Sequence, residues 1–140
     1  MRGVIELNKK RKVIIVPTYK SGQQSDVSPE GDYPFTVEKA IAKFSSNGNE
    51  MIEVWLRLPN GGLAIDNLVF TESSSWKIDQ FRTSIGELVL PDEMVEVLPS
   101  ELIGKTGFAH IIVEEWQGKK RNKVGSYLEP DNIQLSDANR

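Results

Sequence analysis

Between Met51 and Leu58 every second residue is aliphatic: Ile52, Val54, Leu56 and Leu58 share one side, and Met51, Glu53, Trp55 and Arg57 the other. A period of two belongs to a strand with one buried face. Pro59-Asn60-Gly61-Gly62 follows, and Asn-Gly accepts the positive φ angles of a tight hairpin turn. Residues 63–70 therefore return as the neighbouring strand.

Around this hairpin the other elements fall into order. Residues 33–44 read as a preceding strand, turned by Ser45-Ser46-Asn47-Gly48-Asn49. After residue 70, Ser73-Ser74-Ser75 offers N-caps to a helix whose apolar stripe is Ile78, Phe81 and Ile85, and Gly86 suits a left-handed end. Residues 99–104 suggest a short helical turn. Residues 108–116 and 121–128 read as two more strands. Strand–strand–strand–helix–strand–strand is the order of the OB-fold, a five-stranded Greek-key barrel with one helix between its third and fourth strands. The expected fold is thus mostly β, with 33–128 as the OB-fold domain. Residues 1–32 are read as an arm, in which Val4–Leu7 and Val13–Val16 form a hairpin ahead of a linker, and 129–140 as a polar tail.

At 140 residues and 39% hydrophobic content, the chain has material for one domain with a real core. It has no cysteine, which removes thiolate nucleophiles, disulfides and cysteine-held zinc. No apolar run nears the roughly 18 residues needed to span a bilayer, and the N-terminus lacks a signal-peptide core. A cytoplasmic protein without membrane contact is expected. His110 is the single histidine and lies within a strand, with no neighbour assignable as nucleophile or orienting carboxylate. Gly104-Lys105-Thr106 imitates the end of a phosphate-binding loop, but Pro99 stands where the first glycine belongs and a strand follows. Glu114 and Glu115 alternate across a strand and cannot share a metal. No enzyme, cofactor or metal is expected from these residues. A metal-dependent nuclease built on Asp66, Glu53 and Glu72 stays as a third reading.

Charge is distributed unevenly. The net charge is −3, yet residues 117–123 hold Lys119, Lys120, Arg121 and Lys123 with no acid. Without these four, 13 cations face 20 carboxylates. Self-repulsion disfavours such segregation, so it suggests a polyanion contact. Trp55 and Arg57 lie on the face opposite the aliphatic run, outside the barrel, where a base can stack on the indole. In the last two strands, inward Ala109, Ile111 and Val113 leave Trp116 outward, and inward Val124 leaves Arg121, Lys123 and Tyr127 outward. Trp116 and Tyr127 then flank the basic tip. Of Phe35, Phe44, Phe70, Phe81 and Phe108 most are read as core, and Trp76 as packing. Lys9, Lys10, Arg11 and Lys12 offer a second basic turn.

Five segments, 31–35, 48–52, 76–81, 102–107 and 116–124, resemble a family of small bacteriophage replication-module proteins long catalogued as a domain of unknown function. That family is similar to OB-fold single-stranded DNA-binding proteins. The resemblance covers residues 31–128. It implies a phage or prophage protein that coats single-stranded DNA in replication or recombination, in the bacterial host cytoplasm. It also implies that DNA crosses the second and third strands between two loops, here residues 45–49 and 117–123. The tail ends in Asn139-Arg140 without an acidic apolar tip, so partner recruitment through it is not implied. The rival reading is a protein-interaction module in which Trp55 and the first hairpin form a homo-oligomer interface.

Overall fold

A computed structural model describes residues 4–6, 13–15 and 27–130. The first hairpin is present: β1 (Val4–Glu6) pairs antiparallel with β2 (Val13–Ile15) as a separate two-stranded sheet. The basic cluster at 9–12, most of the linker, and the tail from 131 lie outside the described residues.

The remaining strands close a barrel: β3 (Gly31–Phe44), β4 (Glu50–Arg57), β5 (Leu63–Val69), β6 (Thr106–Trp116) and β7 (Lys119–Leu128), in the spatial order β3-β4-β5-β7-β6. β3 pairs with β4 through its second half and with β6 through its first. β5 and β7 meet in parallel at the single register pair Ala64↔Asn122. With helix α1 (Ser75–Ser84) between the third and fourth barrel strands, this is the OB-fold that the element order predicts. Ile52, Val54, Leu56 and Leu58 are all buried, so the alternation at 51–58 assigns the faces correctly.

Helix α1 plugs one end of the barrel. Phe81 stacks on Phe35 and meets Tyr127 edge-on at 5.2 Å between ring centroids. Its end is a Schellman motif: Gly86 N–H donates to Thr83 C=O, Glu87 N–H to Arg82 C=O, and Gly86 has φ 92°. Its start differs from expectation. A 3₁₀ turn at Glu72–Ser74 precedes the helix, and no serine side chain caps it; the Ser75 hydroxyl donates back to Glu72 C=O. Helix α2 (Pro99–Leu102) realises the predicted turn.

Three aromatic placements are corrected. Tyr127, expected outside, is 5% exposed and lies in the core. The cause is a β-bulge: His110 pairs with Ser126 and Ile111 with Val124, so Gly125 is an extra residue and the inward parity shifts after it. Phe44, one of five phenylalanines mostly expected in the core, is 71% exposed at the end of β3, and Trp76 is exposed on α1 rather than packed.

The buried Tyr127 hydroxyl donates to Asp66 Oδ2 at 2.6 Å, and Lys77 Nζ donates to Asp66 Oδ1 at 2.7 Å. Asp66 is itself buried, so each donor offsets the desolvation of its carboxylate. Burial, with the Asp66 charge beside it, pushes the Tyr127 hydroxyl well above its ordinary value of 10.0. The folded chain therefore keeps a proton that the unfolded chain releases. This stabilisation is complete below about pH 10 and fades as pH rises beyond it. Tyr127→Phe should cost about 1.5–3 kcal/mol in urea unfolding at neutral pH, the scale of a hydrogen bond to a charged group. It should also flatten the stability loss above about pH 10.

A second buried polar group closes the β5–β7 seam. Asn122 accepts from Ser28 N–H and donates to Ser28 C=O, both at 2.8 Å, and the Ser28 hydroxyl donates to Asn60 Oδ1 at 2.6 Å. Gly62 is required beside it, since a Cβ there would stand 2.3 Å from Ser28 Oγ.

Candidate nucleic-acid interface

The antiparallel register of β3, β4 and β5 sets which side chains share the barrel's outer face. Lys39, Trp55 and Ile65 lie in one row across the three strands; Ile41, Glu53 and Asn67 lie in the next. Trp55 is half-buried at the centre. Its indole N–H donates to Glu53 Oε2 at 2.7 Å, and Lys39 Nζ sits 4.4 Å from its ring centroid. Lys43 also hydrogen-bonds Glu53. These two donors, Lys43 first, hold the Glu53 carboxyl below its usual 4.5. The indole is thus fixed in orientation by a carboxylate that is itself anchored.

Lys39 is a residue that simple alternation misses. A register shift between Val37 and Lys39 makes Glu38 an extra residue, so the parity of β3 changes and Lys39 turns outward onto Trp55. Consecutive charges at Glu38 and Lys39 are the sequence trace of this bulge, because an unbulged strand would bury one of them. Arg57 reaches the outer face as expected, but its guanidinium donates to Glu38 Oε1 at 2.8 Å and to Gly61 C=O at 2.9 Å.

The basic tip is a ribbon extending from β6 and β7. Gln117 (φ 52°) and Gly118 (φ 79°) form a two-residue turn of the type that matches strand twist. Trp116, Lys119, Glu114, Arg121 and Lys123 lie on one face of the ribbon, since Trp116↔Lys119, Glu114↔Arg121 and Ile112↔Lys123 are register partners. Lys120 pairs in register with Glu115 on the reverse face, so it does not join the other three cations. Trp116 is 51% exposed, with the Arg121 guanidinium 4.7 Å from its ring centroid. Glu114 sits among the cations: Arg121 Nε donates to its Oε2 at 2.6 Å, and Lys123 Nζ lies 3.6 Å from Oε1. The Arg121 hydrogen bond holds the Glu114 carboxyl below its usual 4.5.

The two halves meet. A groove of about 470 Å³ runs between Leu63, Ile65 and Asn67 of β5 and Arg121 and Lys123 of β7. Ile65 is the register partner of Trp55, so indole and cations stand on adjoining strands of one surface. From Arg57↔Leu63 to Met51↔Val69 this surface extends roughly 20 Å at about 3.3 Å per residue. The basic tip lies at its first end and the turn at 45–49 at its second.

His110 is apart from this surface. Its Nδ1 is 2.7 Å from Asp32 Oδ1 and its Nε2 is 3.6 Å from Glu30 Oε2, so both ring nitrogens face carboxylates. Asp32 is the orienting group that sequence spacing could not supply. Among the described residues no group of three or more His, Asp or Glu converges as a metal site. Asp66 is engaged by Lys77 and Tyr127, and Glu53 by Lys43 and Trp55. Among the described residues no helix is long and apolar enough to cross a membrane. No family model matches this chain, and no curated protein matches it in sequence.

Proposed function

We propose that this chain is a non-enzymatic protein that binds single-stranded DNA with little sequence preference. The observation that carries this reading is the shared outer surface on which Arg121 and Lys123 adjoin the row containing Trp55. Phosphates exchange with Glu114 for Arg121 and Lys123, and Lys119 adds a third contact. A base stacks on Trp55, worth about 1–3 kcal/mol, and displaces a cation–π contact worth about 0.5–1 kcal/mol. Lys39 is then released towards a phosphate. A second base stacks on Trp116, where Arg121 already marks the ring face. Duplex DNA offers no free bases for either ring, so single strands are favoured. The resemblance of residues 31–128 to phage replication-module proteins supports a role in phage or prophage replication or recombination, in the host cytoplasm.

Glu114 is the specific handle on this reading, because it competes with phosphate for two cations. Glu114→Gln keeps the shape and removes the charge. It should tighten binding of a dT oligonucleotide several-fold in an anisotropy titration and steepen the salt dependence. Unchanged or weaker binding would remove Arg121 and Lys123 from the phosphate contacts.

A further inference from the structure

The acidity that balances the basic tip is concentrated in one stretch. From Gly86 to Gly104 the chain has Glu87, Asp92, Glu93, Glu96 and Glu101 and no cation. Arg82 holds Glu87 at 2.7 Å; the other four make no ion pair among the described residues. Residues 85–98 form neither helix nor strand. Loops beyond roughly 12 residues are uncommon within compact domains and carry function where they occur.

This loop is also apolar and exposed. Leu88, Leu90 and Leu98 are exposed, and Met94 is 97% exposed. Several large apolar side chains left exposed within one loop point to an interaction site. A groove of about 490 Å³ separates Val95–Pro99 from Ala42, Lys43 and the exposed Phe44 at the end of β3. The β3–β6 ladder ends at Thr36↔Thr106, so the last residues of β3 pair with β4 alone. Among the described residues no strand pairs with their other edge, which leaves its backbone groups available to an added strand.

The complementary surface is in the same chain. Among the described residues the β1–β2 hairpin pairs with no barrel strand, and a lone two-stranded hairpin is marginal in water. Its strands read Val-Ile-Glu and Val-Ile-Ile, and Lys9, Lys10, Arg11 and Lys12 stand between them in sequence. It is strand-forming, apolar and basic where the loop is apolar and acidic and the end of β3 has no second strand partner among the described residues. We infer that the N-terminal hairpin of a second copy docks on the face formed by the 85–98 loop and the end of β3, so that the protein self-associates by arm exchange. This interface adjoins the second end of the proposed DNA surface, at the barrel end that carries Phe44 and Phe70.

The absence of cysteine allows a direct test on the full chain. Ile14→Cys and Met94→Cys are expressed separately, mixed and oxidised. A disulfide-linked pair joining one copy of each variant is expected to dominate over pairs of either variant with itself. In light scattering the wild type should give a multiple of 15.7 kDa. Leu88→Glu with Met94→Glu should return it to 15.7 kDa without lowering the melting temperature, since both side chains are exposed. A wild-type mass of 15.7 kDa at all concentrations overturns the inference. So does an oligomer that survives the double substitution, or a mixture in which the joined pair is no more abundant than the self pairs.

Discussion

Replacing Lys119 and Lys123 together by Glu should weaken binding of a single-stranded oligonucleotide by roughly 30-fold or more at about 0.1 M salt. The scale follows from counterion release. Each phosphate contact on a single strand contributes a slope of about −0.7 in log K against log salt, so losing two flattens the slope by about 1.4. At about 0.1 M salt two such contacts are worth roughly 2 kcal/mol, and the introduced repulsion adds to that. The ribbon register supplies an internal control. Lys120→Glu changes net charge equally per residue but acts from the reverse face, beside Glu115. It should weaken binding less than Lys119→Glu does. Equal effects from the two single substitutions would mean that only overall charge matters, and the ribbon face would have no special role.

Trp55→Ala should weaken binding roughly 5- to 150-fold, the equivalent of about 1–3 kcal/mol of base stacking, while leaving the salt slope nearly unchanged. The two substitutions thus separate stacking from charge. Trp55 is on the outer face and half-buried, so its removal opens no core cavity. It does leave Glu53 with Lys43 as its remaining hydrogen-bond partner and Lys39 without its ring. Trp55→Phe discriminates between the consequences: it keeps a stacking ring, smaller than the indole, and loses the N–H that anchors to Glu53. Binding nearer to wild type for Phe than for Ala assigns the effect to stacking. Equal losses would assign it to the displaced Glu53 and Lys39.

The sequence was readable where one rule governs a whole segment. The alternation from Ile52 to Leu58 fixes an inward and an outward face without help from the rest of the chain, and that alone sets Trp55 outside. Gly86 marks the end of α1 because a left-handed residue is needed there. What period-two reading cannot follow is a bulge. The extra residues at Glu38 and Gly125 each change the parity of a strand, one turning Lys39 onto Trp55 and the other carrying Tyr127 into the core. Ion pairing was equally hidden. Arg57 and Arg121 look like free cations in the chain, but Glu38 and Glu114 already occupy them. The Ser28–Asn122 contact joins residues 94 apart, and no local pattern announces it. Aromatic character does not dictate burial, as Phe44 and Trp76 demonstrate.

These departures alter the proposed surface in a definite way. Tyr127 leaves it and becomes a partner of Asp66, Lys39 enters it, and Lys120 moves to the back of the ribbon. What remains is Trp55 and Trp116 for bases, and Lys119, Arg121, Lys123, Lys39 and the Glu38-paired Arg57 for phosphates, with Glu53 and Glu114 as the carboxylates that position and compete.

The intrinsic fluorescence of the three tryptophans tests the central claim most directly. Poly(dT) should quench it in a saturable titration whose midpoint weakens steeply with salt, and duplex DNA of equal phosphate concentration should change it little. Fluorescence that poly(dT) leaves unaltered, or a duplex that competes on equal terms, would contradict the account of a surface built for stacked, unpaired bases.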